Sequence, residues 1–310
     1  MTDHKRLTTP FDKNSTADEV IEGVDLSGRR AIVTGASSGL GTETARALAS
    51  AGADVTLAVR NMDAGREAAE EITAKTGNTN VHVARLDLAD RASIAAFADA
   101  WQGPLHILVN NAGIMALPTR RLSPEGWELQ FATNHLGHFA LTLGLHDALA
   151  AARGARVVNV SSATHHVSPV VLEDIHFQNR PYDPWSAYAQ SKTANVLMAV
   201  EGARRWAGDA ILVNAIHPGA ILETGLVRHV EMTPELQARI DSTEWKTVGQ
   251  GAATSVFVAS SPLVDGVTGR YFGDCEEAEV TDDLQGVAPH ALDESDAERL
   301  WAVSTAMLRS

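Results

Sequence analysis

Short apolar runs alternate with longer stretches of helical periodicity along most of the chain. The runs at 30–34, 54–59, 81–85, 106–110, 156–161 and 211–215 are rich in Val, Ile or Leu. The early ones lack strict alternation, as strands covered on both faces should. Between them, 40–50, 64–76, 93–101, 126–149 and 186–206 predict Ala-rich helices. Strand–helix repetition of this kind predicts an α/β protein: a single doubly wound parallel sheet with helices on both faces.

Two helix starts are signalled by a capping hydroxyl before a proline, Ser123-Pro124-Glu125 and Thr233-Pro234-Glu235. The second opens a segment near 220–247, between the strand at Ile211 and a predicted helix over 248–260. An excursion beyond the C-terminal end of a strand is where α/β folds place ligand lids. A last helix over about 293–308 puts Ala297, Leu300, Trp301 and Leu308 at helical spacing. That stripe reads as core packing or as substrate-pocket lining. Residues 1–27 read as an N-terminal extension lying on the surface of one domain, 28–310.

Composition narrows the function. The 310 residues are 45% hydrophobic and 21% charged, ordinary for a folded chain with a sizeable core. A formal net charge of −14 repels nucleic acid and anionic lipid, so an anionic cofactor needs local positive groups. Cys275 is the only cysteine, which excludes an internal disulfide and a multi-cysteine metal site. No secretory pattern opens the chain and no apolar run has the length of a membrane span, so a cytoplasmic location is expected.

Thr34-Gly35-Ala36-Ser37-Ser38-Gly39-Leu40-Gly41 follows the first strand and opens the first helix. Glycines let a backbone approach a pyrophosphate, and a helix N-terminus supplies free N–H groups and a favourable dipole. A glycine-rich turn can be purely structural; the strand–turn–helix context points to nucleotide binding. The second strand ends Val59-Arg60-Asn61. An NAD site wants a carboxylate here for the ribose 2′-hydroxyl. Arg60 instead suits a 2′-phosphate, to which Ser37 and Ser38 add hydroxyls. The alternative is that Arg60 is a solvated surface charge and Asp63 takes the ribose. Asn110-Asn111-Ala112-Gly113 ends the fourth strand, as a turn or as a border of the cofactor crevice.

Tyr188-Ala189-Gln190-Ser191-Lys192 sets a phenol and an ammonium on one helix face. The ammonium is expected to pull the tyrosine pKa down from about 10, letting it exchange a proton near neutral pH. The spacing alone is common. It gains force from Ser161-Ser162, which end the preceding strand and offer a hydroxyl to the same oxygen. His165 and His166 follow without a carboxylate cluster at metal-ligand spacing, so they are expected to line the substrate pocket and not to hold a metal. Ala116, Leu117, Val167, Val170, Trp185 and Leu222 either surround a bulky hydrophobic substrate or are ordinary packing.

Taken in order, the TGxxxGxG turn, the NNAG run and the YxxxK helix resemble the short-chain dehydrogenase/reductase family over about residues 28–275. The resemblance implies a Rossmann-type fold and a catalytic tetrad of Asn134, Ser162, Tyr188 and Lys192. In it Tyr188 is the general acid/base, Ser162 polarises the carbonyl, Lys192 bonds the nicotinamide ribose, and Asn134 holds a relay water. Ser162 is preferred because the family's serine is usually the second of the pair. The resemblance also places Asp87-Leu88 at the adenine and Pro218-Gly219 at the nicotinamide.

Asn14-Ser15-Thr16-Ala17, Ser191-Lys192-Thr193-Ala194-Asn195, His217-Pro218-Gly219 and Tyr271-Phe272-Gly273-Asp274-Cys275 resemble the retinol dehydrogenase branch. The N-terminal extension is also similar to the segment leading into the oxidoreductase domain of the WW-domain-containing oxidoreductase. Those relatives commonly favour NADP, in agreement with Arg60. An apolar anchor like that of membrane-bound retinol dehydrogenases is not expected here, so retinoid chemistry is not implied. After Pro218-Gly219 one extra residue, Glu223, displaces Thr224, the threonine expected to bond the nicotinamide carboxamide. Either the loop bulges to restore Thr224, or backbone groups replace it. The resemblance further implies a homo-oligomer paired through the long helices.

These signals together describe an NADP(H)-dependent oxidoreductase that moves a hydride between nicotinamide and a small alcohol or carbonyl substrate of hydrophobic character. The rival is an NADP(H)-binding regulatory protein with little turnover. A pure sensor needs no proton relay, so the four tetrad residues argue against it.

Overall fold

The computed structural model describes residues 6–222, 244–284 and 286–309. The strands are β1 (Arg30–Thr34), β2 (Asp54–Val59), β3 (Val81–Arg85), β4 (Ile107–Asn110), β5 (Ala155–Val160), β6 (Ile211–His217), β7 (Tyr271–Gly273) and β8 (Glu276–Glu277). They form one sheet ordered β3-β2-β1-β4-β5-β6-β7-β8. All neighbours are parallel except β7 and β8. β1, β4, β5 and β6 are almost wholly buried, which is why they read as continuous apolar runs. Strand order reverses between β1 and β4, and ligands of such sheets bind in the crevice outside the carboxyl ends at that point.

The helices are α1 (Ala17–Ile21), α2 (Gly39–Ser50), α3 (Met62–Thr76), α4 (Arg91–Ala100), α5 (Leu129–Phe131), α6 (Gly137–Gly144), α7 (His146–Ala151), α8 (Pro184–Arg205), α9 (Val248–Ser260) and α10 (Glu294–Arg309). On one face α1, α2, α3 and α9 build a core through residues such as Leu48, Ile72 and Phe257. On the other, α4, α6 and α8 contribute Phe97, Phe139 and Met198. The stripe on α10 is packing: Ala297 and Leu300 are buried against α8. Among the described residues no helix is long and apolar enough to cross a membrane.

Three expectations need correction. Ser123-Pro124-Glu125 does not start a helix; Ser123 N–H donates to the Trp127 carbonyl at 2.8 Å, closing a turn. The first helical turn is instead capped by the buried Glu128, which accepts from the Gln130 and Phe131 amides. The predicted helix over 126–149 is interrupted by a π-helical turn, Ala132–Leu136, and again at Leu145. The N-terminal extension is not merely on the surface. Thr16 and Glu19 form a capping box that starts α1, and Ala17, Val20 and Ile21 are buried against α2 and α9. The second proline-marked helix start, at Thr233, lies outside the described residues, as does most of the expected lid.

Val20 is 2% exposed. Val20→Asp is therefore expected to cost about 3 kcal/mol by burying an unpaired carboxylate. A residue merely lying on the surface would shift thermal unfolding within about 0.5 kcal/mol.

Candidate active site

The glycine-rich turn joins β1 to α2. Gly35 has φ +67, and a Cβ there would stand 2.9 Å from the Cα of Ala112. A Cβ on Gly41 would stand 2.6 Å from both the Gly35 carbonyl oxygen and the Asn111 side-chain Nδ2. These two glycines thus serve a close approach of the turn to the end of β4. Asn111 pins that approach, donating from Nδ2 to the Thr34 carbonyl at 2.7 Å. The Thr34 hydroxyl accepts from the Asn111 and Ala112 amides at 2.9 and 3.0 Å.

Ser38 occupies the N-cap of α2 but makes no side-chain cap bond. By contrast α1, α3, α4, α8 and α9 are each capped by a side chain. The open N-terminus of α2, with Ser37, Ser38, Gly39 and Leu40 around it, therefore keeps free N–H groups at the crevice, the donor set a pyrophosphate requires.

Arg60 follows β2 and is exposed. Among the described residues no carboxylate is paired with it, whereas the nearby Asp63 is paired with Arg66. Asn61 caps α3 through the Asp63 and Ala64 amides. Asp87 and the buried Leu88 follow β3 at the same edge, where Asp87 accepts from the Ala89 amide at 3.0 Å. Arg60 thus follows the C-terminal end of β2, and Asp87 and Leu88 that of β3, the two strands lying beyond β1 on one side of the sheet.

Ser162, Tyr188 and Lys192 converge at the end of β5. Tyr188 and Lys192 lie on α8, 2% and 3% exposed, with Lys192 Nζ 5.5 Å from the Tyr188 ring centroid. Ser161 is spent on structure, donating to the Lys192 carbonyl at 2.8 Å. The Ser162 hydroxyl stands beside the Tyr188 phenol and favours its ionised form, and Ser162 Oγ accepts from the Thr164 amide at 3.2 Å. Lys192 Nζ and Asn195 Nδ2 both donate to the Val160 carbonyl, at 3.0 and 3.1 Å.

The electrostatics differ from the expectation of a depressed phenol. Burial pushes Tyr188 up from its ordinary value, only partly offset by the Ser162 hydrogen bond. Burial likewise pushes the Lys192 ammonium down, to about 8. Desolvation penalises both charged forms and outweighs the attraction between them.

Asn134 sits in the π-helical turn. Its Oδ1 accepts from the Ile114 amide at 2.9 Å, and its Nδ2 donates to the Ile114 carbonyl and Ser191 Oγ at 2.9 and 3.0 Å. It thus braces the loop after β4 against α8. A Cβ on Gly113 would lie 3.3 Å from Asn134 Oδ1 and 3.6 Å from Lys192 Nζ, so the NNAG run reaches the lysine.

Sequence reasoning missed His138, whose Nδ1 meets the Asn134 carbonyl at 2.9 Å and whose Nε2 meets Thr34 Oγ1 at 2.9 Å. Burial pushes its pKa down to about 4. Its placement one turn after Asn134 was the available signal. His165 was expected to line the pocket but is fully buried. Among the described residues no cluster of His, Cys, Asp and Glu could hold a metal ion.

Pro218 and Gly219 follow β6. Gly219 has φ +92, and a Cβ there would press on Lys246, which is ion-paired with Asp274. Thr224 lies outside the described residues.

An uncapped helix N-terminus at the switch point of a parallel sheet, with the buried Tyr188–Lys192 pair and Ser162 at the end of β5, defines a doubly wound α/β protein of the Rossmann type. The short chain dehydrogenase family matches residues 29–235. A "Probable oxidoreductase" of Streptomyces antibioticus is 55% identical over 299 residues, 93% of this chain and 100% of that protein. Retinol dehydrogenase 12 of Homo sapiens is 41% identical over 92% of this chain and 88% of its own length. The Pseudomonas aeruginosa "RhlG/NADP active-site complex" is 28% identical with a TM-score of 0.65, over 80% of this chain and 95% of that one. The chain belongs to the short-chain dehydrogenase/reductase family and is an oxidoreductase of that family.

Proposed function

We propose that the protein is an NADP(H)-dependent oxidoreductase acting on the alcohol or carbonyl group of a bulky, largely apolar small molecule. The observation that carries the reading is the buried Tyr188–Lys192 pair on α8, 5.5 Å from ammonium to ring centroid, with the Ser162 hydroxyl beside the phenol. The dinucleotide supplies or accepts the hydride. Tyr188 passes a proton to or from the substrate oxygen, and Ser162 bonds that oxygen. Lys192 turns to the nicotinamide ribose, and Asn134 braces the lysine's helix against the NNAG loop.

Two further observations support the finer points. Arg60 is exposed at the end of β2 and, among the described residues, paired with no carboxylate, which suits it to take a 2′-phosphate. A relative whose solved structure carries NADP has the same fold. For the substrate, Val167, Trp185 and Leu222 are apolar yet 58%, 39% and 38% exposed. In the chain they follow Ser162, precede Tyr188 and follow Pro218, so they are the apolar side chains offered to a substrate. Ala116 and Leu117 are buried packing. NADPH oxidation across aldehydes, ketones and quinones of graded size is expected to show turnover that rises with apolar bulk. No turnover on any member would overturn the reading.

Lys192 allows a test that separates activity from stability. Its pKa near 8 in the fold lies below its ordinary value, so the native state resists charging it. The lysine therefore destabilises the free protein below pH 8, by about 3 kcal/mol. That penalty lifts as pH rises from 8 toward the ordinary lysine value. The Val160 carbonyl keeps Asn195 as a donor when the lysine is removed. Lys192→Met is expected to abolish turnover yet raise the denaturation midpoint at pH 7, with the gain shrinking above pH 8. A less stable variant with intact turnover would contradict both roles.

A further inference from the structure

We propose that His165 is a positioning residue that holds the main chain of Ser162, tying the catalytic turn after β5 to the C-terminal segment 286–290. This rests on the reading of Ser162 given above.

The residue is fully buried, and its partners determine its protonation state. Nδ1 lies 2.6 Å from the Ser162 carbonyl, which can only accept. Nε2 receives the Ala288 amide at 3.0 Å, which can only donate. The ring is therefore neutral with its proton on Nδ1. It bridges two backbones that no strand pairing joins. Its own carbonyl is held by Thr193 Oγ1 at 3.1 Å and His290 Nε2 at 2.9 Å. His166 repeats the link one residue on, with Nε2 on the Gly286 carbonyl at 3.1 Å.

The consequence falls on Ser162. Its Oγ must serve Tyr188 while also capping the short helical turn Ala163–Val167 through Thr164. A hydroxyl shared in this way is aimed only if its backbone does not rotate. The ring bond to the Ser162 carbonyl fixes that peptide, since the His165 amide on the same oxygen lies at 3.1 Å and leaves the plane free to tilt. The cofactor crevice at Gly35 and α2 is built from other elements, so cofactor affinity does not depend on the bridge.

Two amide substitutions split the bridge. Asparagine places a donor near the Nδ1 position and keeps the serine side, whereas glutamine reaches the Nε2 position and keeps the Ala288 side. His165→Asn is expected to retain kcat within about threefold, and His165→Gln to lose at least about tenfold, with NADPH Kd and substrate KM nearly unchanged. Ala288→Pro removes the other donor with little backbone strain, because φ there is −66, and leaves the serine side intact. It therefore makes the same split as His165→Asn without touching the ring, and is expected to keep kcat within about threefold. In a Ser162→Ala background, His165→Gln should cost less than about twofold further, since the histidine acts through the serine. Full activity in His165→Gln, a loss in Ala288→Pro as large as that in His165→Gln, or an equal loss with and without Ser162, overturns the inference. Ser162→Ala with unchanged kcat overturns instead the catalytic reading of the serine, a separate and distinguishable outcome.

Discussion

Tyr188→Phe is expected to cut kcat about a thousandfold while leaving NADPH affinity within about twofold. The ring is 2% exposed, and phenylalanine fills the same space. What disappears is the hydroxyl that stands beside Ser162 and would exchange its proton with the substrate oxygen. Burial raises the phenol, so at neutral pH the group keeps its proton. That state suits carbonyl reduction, in which the growing alkoxide takes the proton. Alcohol oxidation needs a place for a proton to go. The neighbouring Lys192 amine offers one as pH passes about 8. Initial rates from pH 6 to 10 should then show oxidation rising through that window while reduction falls. A phenylalanine variant within tenfold of the wild-type kcat would remove Tyr188 from the proton path.

The parallel sheet was legible because local pattern and final environment agree there. β1, β2 and β3 begin and end where the apolar runs do, since both faces of the central strands are covered. The helix over 126–149 was not legible in its true form. Its π-helical turn depends on contacts far apart in the chain: Asn134 reaches Ile114 and Ser191, while the ring of His138 bridges its carbonyl to Thr34. Hydrophobic periodicity carries no trace of such bonds. Ser123-Pro124 failed as a helix start for a related reason. The serine closes a turn onto Trp127, and the buried Glu128 caps the helix in its place.

Within the candidate site, the residue types were readable but their energetics were not. The spacing of Tyr188 and Lys192 on one helix face indicates attraction between ammonium and phenolate. It cannot reveal how thoroughly α8 is covered, and burial reverses the predicted shift. The glycines of the first turn were read for their approach to a pyrophosphate. In the fold Gly35 and Gly41 first make room for Ala112 and Asn111. The residues that hold the site from behind, His138 and His165, carry no local motif. Their roles arise only when the ends of β1, β5 and α8 meet.

Arg60→Asp is expected to lower kcat/KM for NADPH by a factor on the order of a hundred or more, and to leave NADH unchanged or improved. The guanidinium is exposed at the end of β2 and committed to no carboxylate among the described residues, so a 2′-phosphate would meet it without displacing a partner. One charge-assisted hydrogen bond contributes about 1.5–3 kcal/mol, and a bidentate contact more. Aspartate removes these bonds and adds repulsion toward a dianion. NAD presents only a hydroxyl there, which a carboxylate accepts well. Reversal should be incomplete, because Ser37 and Ser38 remain beside the open N-terminus of α2 and can still bond the phosphate. Asp63 is a weak substitute as ribose partner, since it lies on the first turn of α3 and is paired with Arg66. The measurement compares kcat/KM for both cofactors, in wild type and variant, at one fixed salt concentration, because exposed charges are screened by salt. A wild type that prefers NADH, or an unchanged NADPH/NADH ratio in the variant, would shift the ribose contact from Arg60 to Asp63.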